Sequence, residues 1–250
     1  MHILDWLPIL CVPLGFAFCF FLDSLTLCAR MGGFILLKNA AGSYFTQIIL
    51  IASRFAVVIL FPAAALLVDR GSSTELMYKV FSYGAIIGSI ILIVLYVLRF
   101  KIVIVFAKLI ATFLADDTKL SESGVVDSVK RISRFKIHTK VRLNSFFLYP
   151  HLIIAAIVVT IINGLGLSLP MILSASSESY QTTISHMGPI INVFATLINI
   201  TYIEAKLTRS LEKNDSNAAM NISEVLILSR VFSLILLGIV YSILASGGSW

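Results

Sequence analysis

Residues 42–68, GSYFTQIILIASRFAVVILFPAAALLV, decide the fold of this chain. The run is long enough to cross the roughly 30 Å hydrocarbon core of a bilayer as a helix. Its only formally charged side chain is Arg54, near the middle. A central arginine costs about 2.5–3.5 kcal/mol on insertion scales, so one retained at that depth points to function. Asn39, Ser43 and Gln47 precede it at spacings of four, four and seven. At 100° per residue all four share one narrow helical face. That face is expected to turn away from lipid, toward a cavity or a helix interface. Pro62, eight residues beyond Arg54, removes one backbone donor and predicts a bend.

Outward from this stretch the chain keeps the same character. Its 250 residues are 58% hydrophobic and 13% charged, with a mean hydropathy of +0.98. That balance excludes a soluble globular domain and predicts a single all-α, polytopic membrane domain over residues 1–250. Six apolar runs are long enough to span: 4–25, 42–68, 78–98, 148–169, 187–203 and 225–244. Trp6, Tyr44, Tyr78, Tyr149 and Tyr202 stand near their ends, as an interfacial belt requires. The first run carries Asp5 and lacks a basic leader, and Asp23 and Arg30 occupy the place of a cleavage site, so it is read as a retained span. Residues 101–115 are short and carry Lys101 and Lys108 on one face, which predicts an interfacial amphipathic helix.

Basic residues set the orientation. Of nineteen Lys and Arg, fifteen fall in the first, third and fifth loops, ten of them in the central stretch that begins at Arg99. Only Arg70 and Lys79 fall on the other side, so the positive-inside rule places both termini outside. This asymmetry accounts for the formal charge of +6 without nucleic acid. The central loop, about 99–146, ends strongly basic over residues 130–142; it either sets topology alone or also attracts anionic lipids. It divides the chain into two three-span halves, which would enter the membrane in opposite senses, a 3+3 inverted arrangement.

Polar residues recur in the second half. Asn192, Thr196 and Asn199 share one face of the fifth run, and Glu204 follows at its end. They read equally well as substrate contacts and as interhelical hydrogen bonds. Gly84 and Gly88 form a GxxxG that predicts close helix packing. Cys11, Cys19 and Cys28 show no pairing pattern and read as small apolar fillers. His2, His138, His151 and His186 are scattered without metal-ligand spacing, so no metal or cofactor is expected. Neither a phosphate-binding GxxxxGK[ST] loop nor a GxSxG elbow occurs, which makes an enzyme the weaker class.

Three sets of spacings resemble the lipid II flippases of the Amj type. They are Asp23, Leu25, Arg30 and Gly33; Ser53, Arg54, Pro62, Val68 and Asp69; and Asn192, Ala195, Thr196, Leu207 and Thr208. The chain departs from that pattern where Glu204, Ala205 and Lys206 replace an Asp-Pro-Lys, and where apolar residues follow Phe55. The resemblance implies a bacterial cytoplasmic-membrane protein, active in cell-wall synthesis and cell shape, that moves an undecaprenyl-pyrophosphate-linked disaccharide-peptide outward. Arg54, Arg30 and Arg230 then face the pyrophosphate. Gln47, Asn192, Thr196 and Asn199 face the sugars. Asp23 either neutralises Arg30, seven residues on, or shares with Glu204 the role of coupling acid. Other polyprenyl-phosphate or lipid transporters, a membrane enzyme acting on lipid phosphate, and an accessory scaffold of wall synthesis are the alternatives.

Overall fold

A computed structural model describes residues 3–118, 149–177, 184, 187–213 and 216–247. The described chain is helical, without strands, and six of its helical stretches are long and apolar enough to cross a membrane. The helices are α1 (Ile3–Ile35), α2 (Asn39–Asp69), α3 (Thr74–Thr118), α4 (Pro150–Ser176) and α5 (Gly188–Ile198). A π-helical segment (Asn199–Glu204) joins α5 to α6 (Ala205–Glu212), and α7 (Ser216–Gly247) follows. The basic run 130–142, His2, His138 and His186 lie outside the described residues.

Packing repeats between the halves. In the first, α1 lies against both α2 and α3; in the second, α4 lies against both α5 and α7. The halves meet chiefly through their third helices, α3 and α7. Small residues permit the closest crossings. Gly84 approaches the backbone of Pro13, and Gly88 lies between Ala17 of α1 and Leu234 of α7, so the GxxxG face is a packing face. At the α1–α2 turn a Cβ on Gly33 would lie 2.5 Å from the Gly42 backbone, closer than any side chain allows.

The first two helices stop by the same hydrogen-bond geometry with different residues. After α1, Lys38 N–H donates to Gly33 O at 2.8 Å and Leu37 N–H to Phe34 O at 2.9 Å, with Leu37 at a φ of 57°. After α2, Ser72 N–H donates to Leu67 O at 3.1 Å and Gly71 N–H to Val68 O at 2.9 Å, with Gly71 at a φ of 71°. Both are Schellman caps, which need a left-handed residue just past the helix. Glycine meets that need without steric cost, whereas leucine does not.

Two sequence expectations are corrected here. Residues 101–115 form no separate interfacial helix; they continue α3, whose described span Thr74–Leu114 is 41 residues, or about 62 Å. Nothing between Leu98 and Lys101 breaks a helix, since neither Gly nor Pro intervenes. The amphipathic pattern is real, but its apolar face is used internally: Ala107 and Ile110 are buried with Leu36 against Ala41 and Phe45. Lys101 and Lys108 point outward. The second correction is Arg99, which is no loop residue. It is buried within α3 and paired with Glu224 of α7.

Candidate functional site: a charged cluster between α1, α2, the π segment and α7

α2 turns its small residues toward α1. Gly42, Thr46, Ile49, Ser53, Ala56 and Leu60 are buried, and Thr46 Oγ1 donates back to Gly42 O. The polar stripe occupies the adjacent strip of surface, so Asn39, Gln47 and Arg54 are exposed and Ser43 is half-buried. No helix in the described structure covers Arg54. Among the described residues, neither Arg54 nor Gln47 lies in a helix interface.

Beside that strip, four segments converge. Asp23 of α1 accepts a hydrogen bond from Ser53 Oγ of α2 at 3.0 Å. Arg54 of α2 and Arg230 of α7 both act electrostatically on Asp23. Neither guanidinium makes a direct ion pair with it among the described residues. Arg230 donates to Ser24 Oγ of α1 at 3.0 Å and also feels Glu204. Arg30, one helical turn pair beyond Asp23, forms an ion pair with Glu204 in the π segment. The expected neutralisation of Arg30 by Asp23 is thus replaced by a partner from the other half of the chain. The five ionisable groups sum to three positive and two negative charges, leaving one positive charge in excess.

The π segment positions the acid. A π turn inserts one residue into the helical register and recurs at functional sites. Here it brings Glu204 to Arg30 while Ile203 beside it stays buried. The following lysine, Lys206, lies over the rings of Tyr149 and Tyr202 at 5.1 and 5.8 Å. The fifth span is the least enclosed of the six, with 17% of its most apolar window buried against 33–50% for the others. It closes on α2 near Phe61, whose ring would lie 3.6 Å from a Cβ on Gly188, and otherwise packs on α2 only sparsely. Among the described residues α5 approaches α2 near Phe61 and leaves the strip that carries Gln47 and Arg54 uncovered.

The polar residues of α5 divide. Asn192 is wedged against α4: its Oδ1 is buried without a hydrogen-bond partner among the described residues, and a Cβ on Gly166 would lie 2.1 Å from it. It serves the helix crossing. Thr196 is exposed and returns its hydroxyl to Asn192 O at 2.8 Å, and Asn199 is half-buried where the π segment begins. No hydrogen bond joins Gln47, Asn192, Thr196 or Asn199 to the arginines among the described residues. Cys19 and Cys28 are buried and Cys11 half-buried within α1, as apolar fillers are.

Sequence reasoning missed a second charged pair. Arg99 Nη2 and Nε donate to Glu224 Oε1 at 2.8 and 3.3 Å, and Nη1 donates to Tyr96 O at 2.6 Å. The guanidinium lies 4.0 Å from the Tyr96 ring centre and 4.2 Å from that of Phe100. A signal was available: Glu224 is the one acid of α7, at the edge of an apolar run, and a charge at that depth requires a partner. Ser24 and Ser53, which hold Arg230 and Asp23, were equally unmarked as ligands.

No protein-family model, curated protein or solved structure matches this chain.

Proposed function

We propose that this chain is a flippase for a polyprenyl-pyrophosphate-linked sugar, with the peptidoglycan precursor lipid II as its substrate, in a bacterial cytoplasmic membrane with both termini outside. A pyrophosphate-linked headgroup needs a cationic, hydrogen-bonding path through the hydrocarbon, while its prenyl tail stays in lipid. The observation that carries the reading is the exposure of Arg54 on a membrane-length helix, next to a cluster with one positive charge in excess. A scaffold would bury its polar stripes in helix contacts, whereas Asn39, Gln47 and Arg54 remain uncovered. With the charge bias taken as the orientation, the Phe61 end of α2 lies toward the outside and the Arg30–Glu204 pair toward the cytoplasm, where the precursor is made. The resemblance to Amj-type flippases points to the same substrate.

The test is transport in vesicles reconstituted with the purified protein and a fluorescent polyprenyl-pyrophosphate sugar, quenched from outside by an impermeant reductant. A charge-assisted hydrogen bond is worth about 1.5–3 kcal/mol, or roughly ten- to a hundredfold. Arg54→Gln is expected to slow flipping by about that factor, and Arg54→Lys, which keeps the charge and loses the planar fork, by less. Wild-type rates for Arg54→Gln would refute the assignment.

A further inference from the structure

The first turns of α3 and the last turns of α7 enclose an open cavity of about 440 Å³, within the roughly 300–1,000 Å³ of small-molecule sites. Glu75, Lys79, Ser82 and Tyr83 line it from α3, and Ser242 and Ser246 from α7. It lies at the end of the bundle away from the charged cluster: Gly32, beside Arg30, packs on Phe106 of α3, whereas Gly84, beside Tyr83, packs on Pro13. We propose that this cavity seats the phosphoethanolamine headgroup of a membrane phospholipid, with the ammonium on Glu75 and the two α7 serines and the phosphate on Lys79. The assignment stands apart from the flippase reading and uses none of its residues.

The hydrogen bonds already made inside the fold decide what the cavity can offer. A serine hydroxyl has one proton to donate and two lone pairs with which to accept. Ser82 Oγ donates to Gly238 O at 2.9 Å, so in its 2.7 Å contact with Ser242 the proton comes from Ser242. Ser246 Oγ donates to Ile243 O at 2.9 Å. Both α7 hydroxyls have therefore spent their protons and present acceptor oxygens. Glu75 adds a carboxylate, exposed and bonded through one oxygen to Lys79, one helical turn on. A positively charged group with several N–H donors suits such acceptors, and a primary ammonium carries three. Lys79 keeps two N–H donors beyond the one on Glu75, and an ammonium donating to a phosphate makes a strong, charge-assisted bond. One acid and one base leave the lining formally neutral, as a phosphoethanolamine diester is.

The surface below the cavity fits the rest of a lipid. On α3, Lys79 and Tyr83 continue along one helical face into Ile86 and Ile90; on α7, Ser246 and Ser242 continue into Ile239 and Ile235, at spacings of four, three and four in each case. All eight side chains are exposed. The two helices run antiparallel and in contact. The polar ends of both stripes thus meet at the cavity, and the isoleucines beneath them offer a course for acyl chains.

Native mass spectrometry of the purified full chain in detergent, titrated with one lipid at a time, tests the assignment. Dioleoylphosphatidylethanolamine is expected to bind about tenfold more tightly than dioleoylphosphatidylcholine, whose ammonium has no N–H, or dioleoylphosphatidylglycerol, which has no cation; a hydrogen bond to a charged group is worth about that factor. Glu75→Gln is expected to erase the preference. Glu75 is exposed and its ion-pair partner lies on the same helix, so this variant keeps the packing between helices. Ser246→Ala, which removes one acceptor and no charge, narrows the preference, and Glu212→Gln, at an exposed acid of α6 outside the cavity, leaves it unchanged. Equal binding of the three lipids, tighter binding of phosphatidylglycerol, or a preference that survives Glu75→Gln overturns the assignment. Soluble O-phosphoethanolamine, which has the headgroup without acyl chains, is expected to displace the lipid only in large excess. Displacement at equal concentration overturns the lipid as the ligand.

Discussion

The two charged groups in this bundle use the same chemistry in opposite settings. Arg99 and Glu224 are sealed, with side-chain exposures of 7% and 11%, aromatic rings against the guanidinium and two of its nitrogens on one carboxylate oxygen. Arg30 and Glu204 retain 21% and 32%, and Arg54 near them is exposed. In the sealed pair every charge is already answered from within the fold, and it ties α3 to α7, the contact that joins the two halves. In the open cluster positive charge exceeds negative, and donors on Arg54 and Arg230 are left unspent. A closed pair holds helices together; an open one is suited to an incoming anion.

Breaking the sealed pair is expected to have the largest effect on stability. Glu224→Gln leaves Arg99 charged in an apolar pocket, and removing one partner of a buried pair costs about 3–5 kcal/mol. Thermal unfolding in detergent should show a large fall in Tm. The double variant Arg99→Met with Glu224→Leu should recover most of it, because no lone charge remains. A Glu224→Gln protein as stable as wild type would mean that the pocket admits water and that the contrast between the two groups is false.

The Arg30–Glu204 pair should fall between the extremes. It is partly accessible, and pairs of that kind couple by up to about 1 kcal/mol. A double-mutant cycle with Arg30→Gln and Glu204→Gln, read by Tm, isolates the coupling. A value as large as that of the sealed pair would place Glu204 among the structural charges and the π segment with them.

How far the sequence reaches follows from what each signal encodes. Hydropathy and length located all six spans, because a helix must hide its backbone from lipid regardless of its neighbours. Periodicity identified Asp23 and Arg30 on one face of α1 and the stripe on α2. It says nothing about how each helix is rotated against the next. Hence Arg30 finds Glu204 rather than Asp23, and Asn192 turns into α4 while Thr196 does not. Arg99 and Glu224 were obscured for another reason: both stand at the ends of apolar runs, where charges ordinarily belong to loops. The continuity of α3 past Lys101 was missed because two lysines on one face match both an interfacial helix and a packed helix with an outward polar edge.

The smallest effect on stability is expected at Arg54, and it is the most discriminating. Arg54 is uncovered and makes no hydrogen bond among the described residues, so Arg54→Gln removes no contact and opens no cavity. It acts on Asp23 electrostatically, without an ion pair among the described residues. Surface substitutions away from special features usually change stability by no more than about 0.5 kcal/mol. The Tm of Arg54→Gln should therefore lie close to that of wild type, in the same detergent in which Glu224→Gln is severely destabilised. Combined with slowed flipping, an unchanged Tm would place the two arginines, Arg99 and Arg54, at opposite ends of one scale, the first serving the fold and the second serving the cargo. A large fall in Tm for Arg54→Gln would instead make Arg54 a structural partner of Asp23. Removing both charges with Asp23→Asn and Arg54→Gln would then restore stability, and the cluster would be a second internal clamp rather than a binding wall.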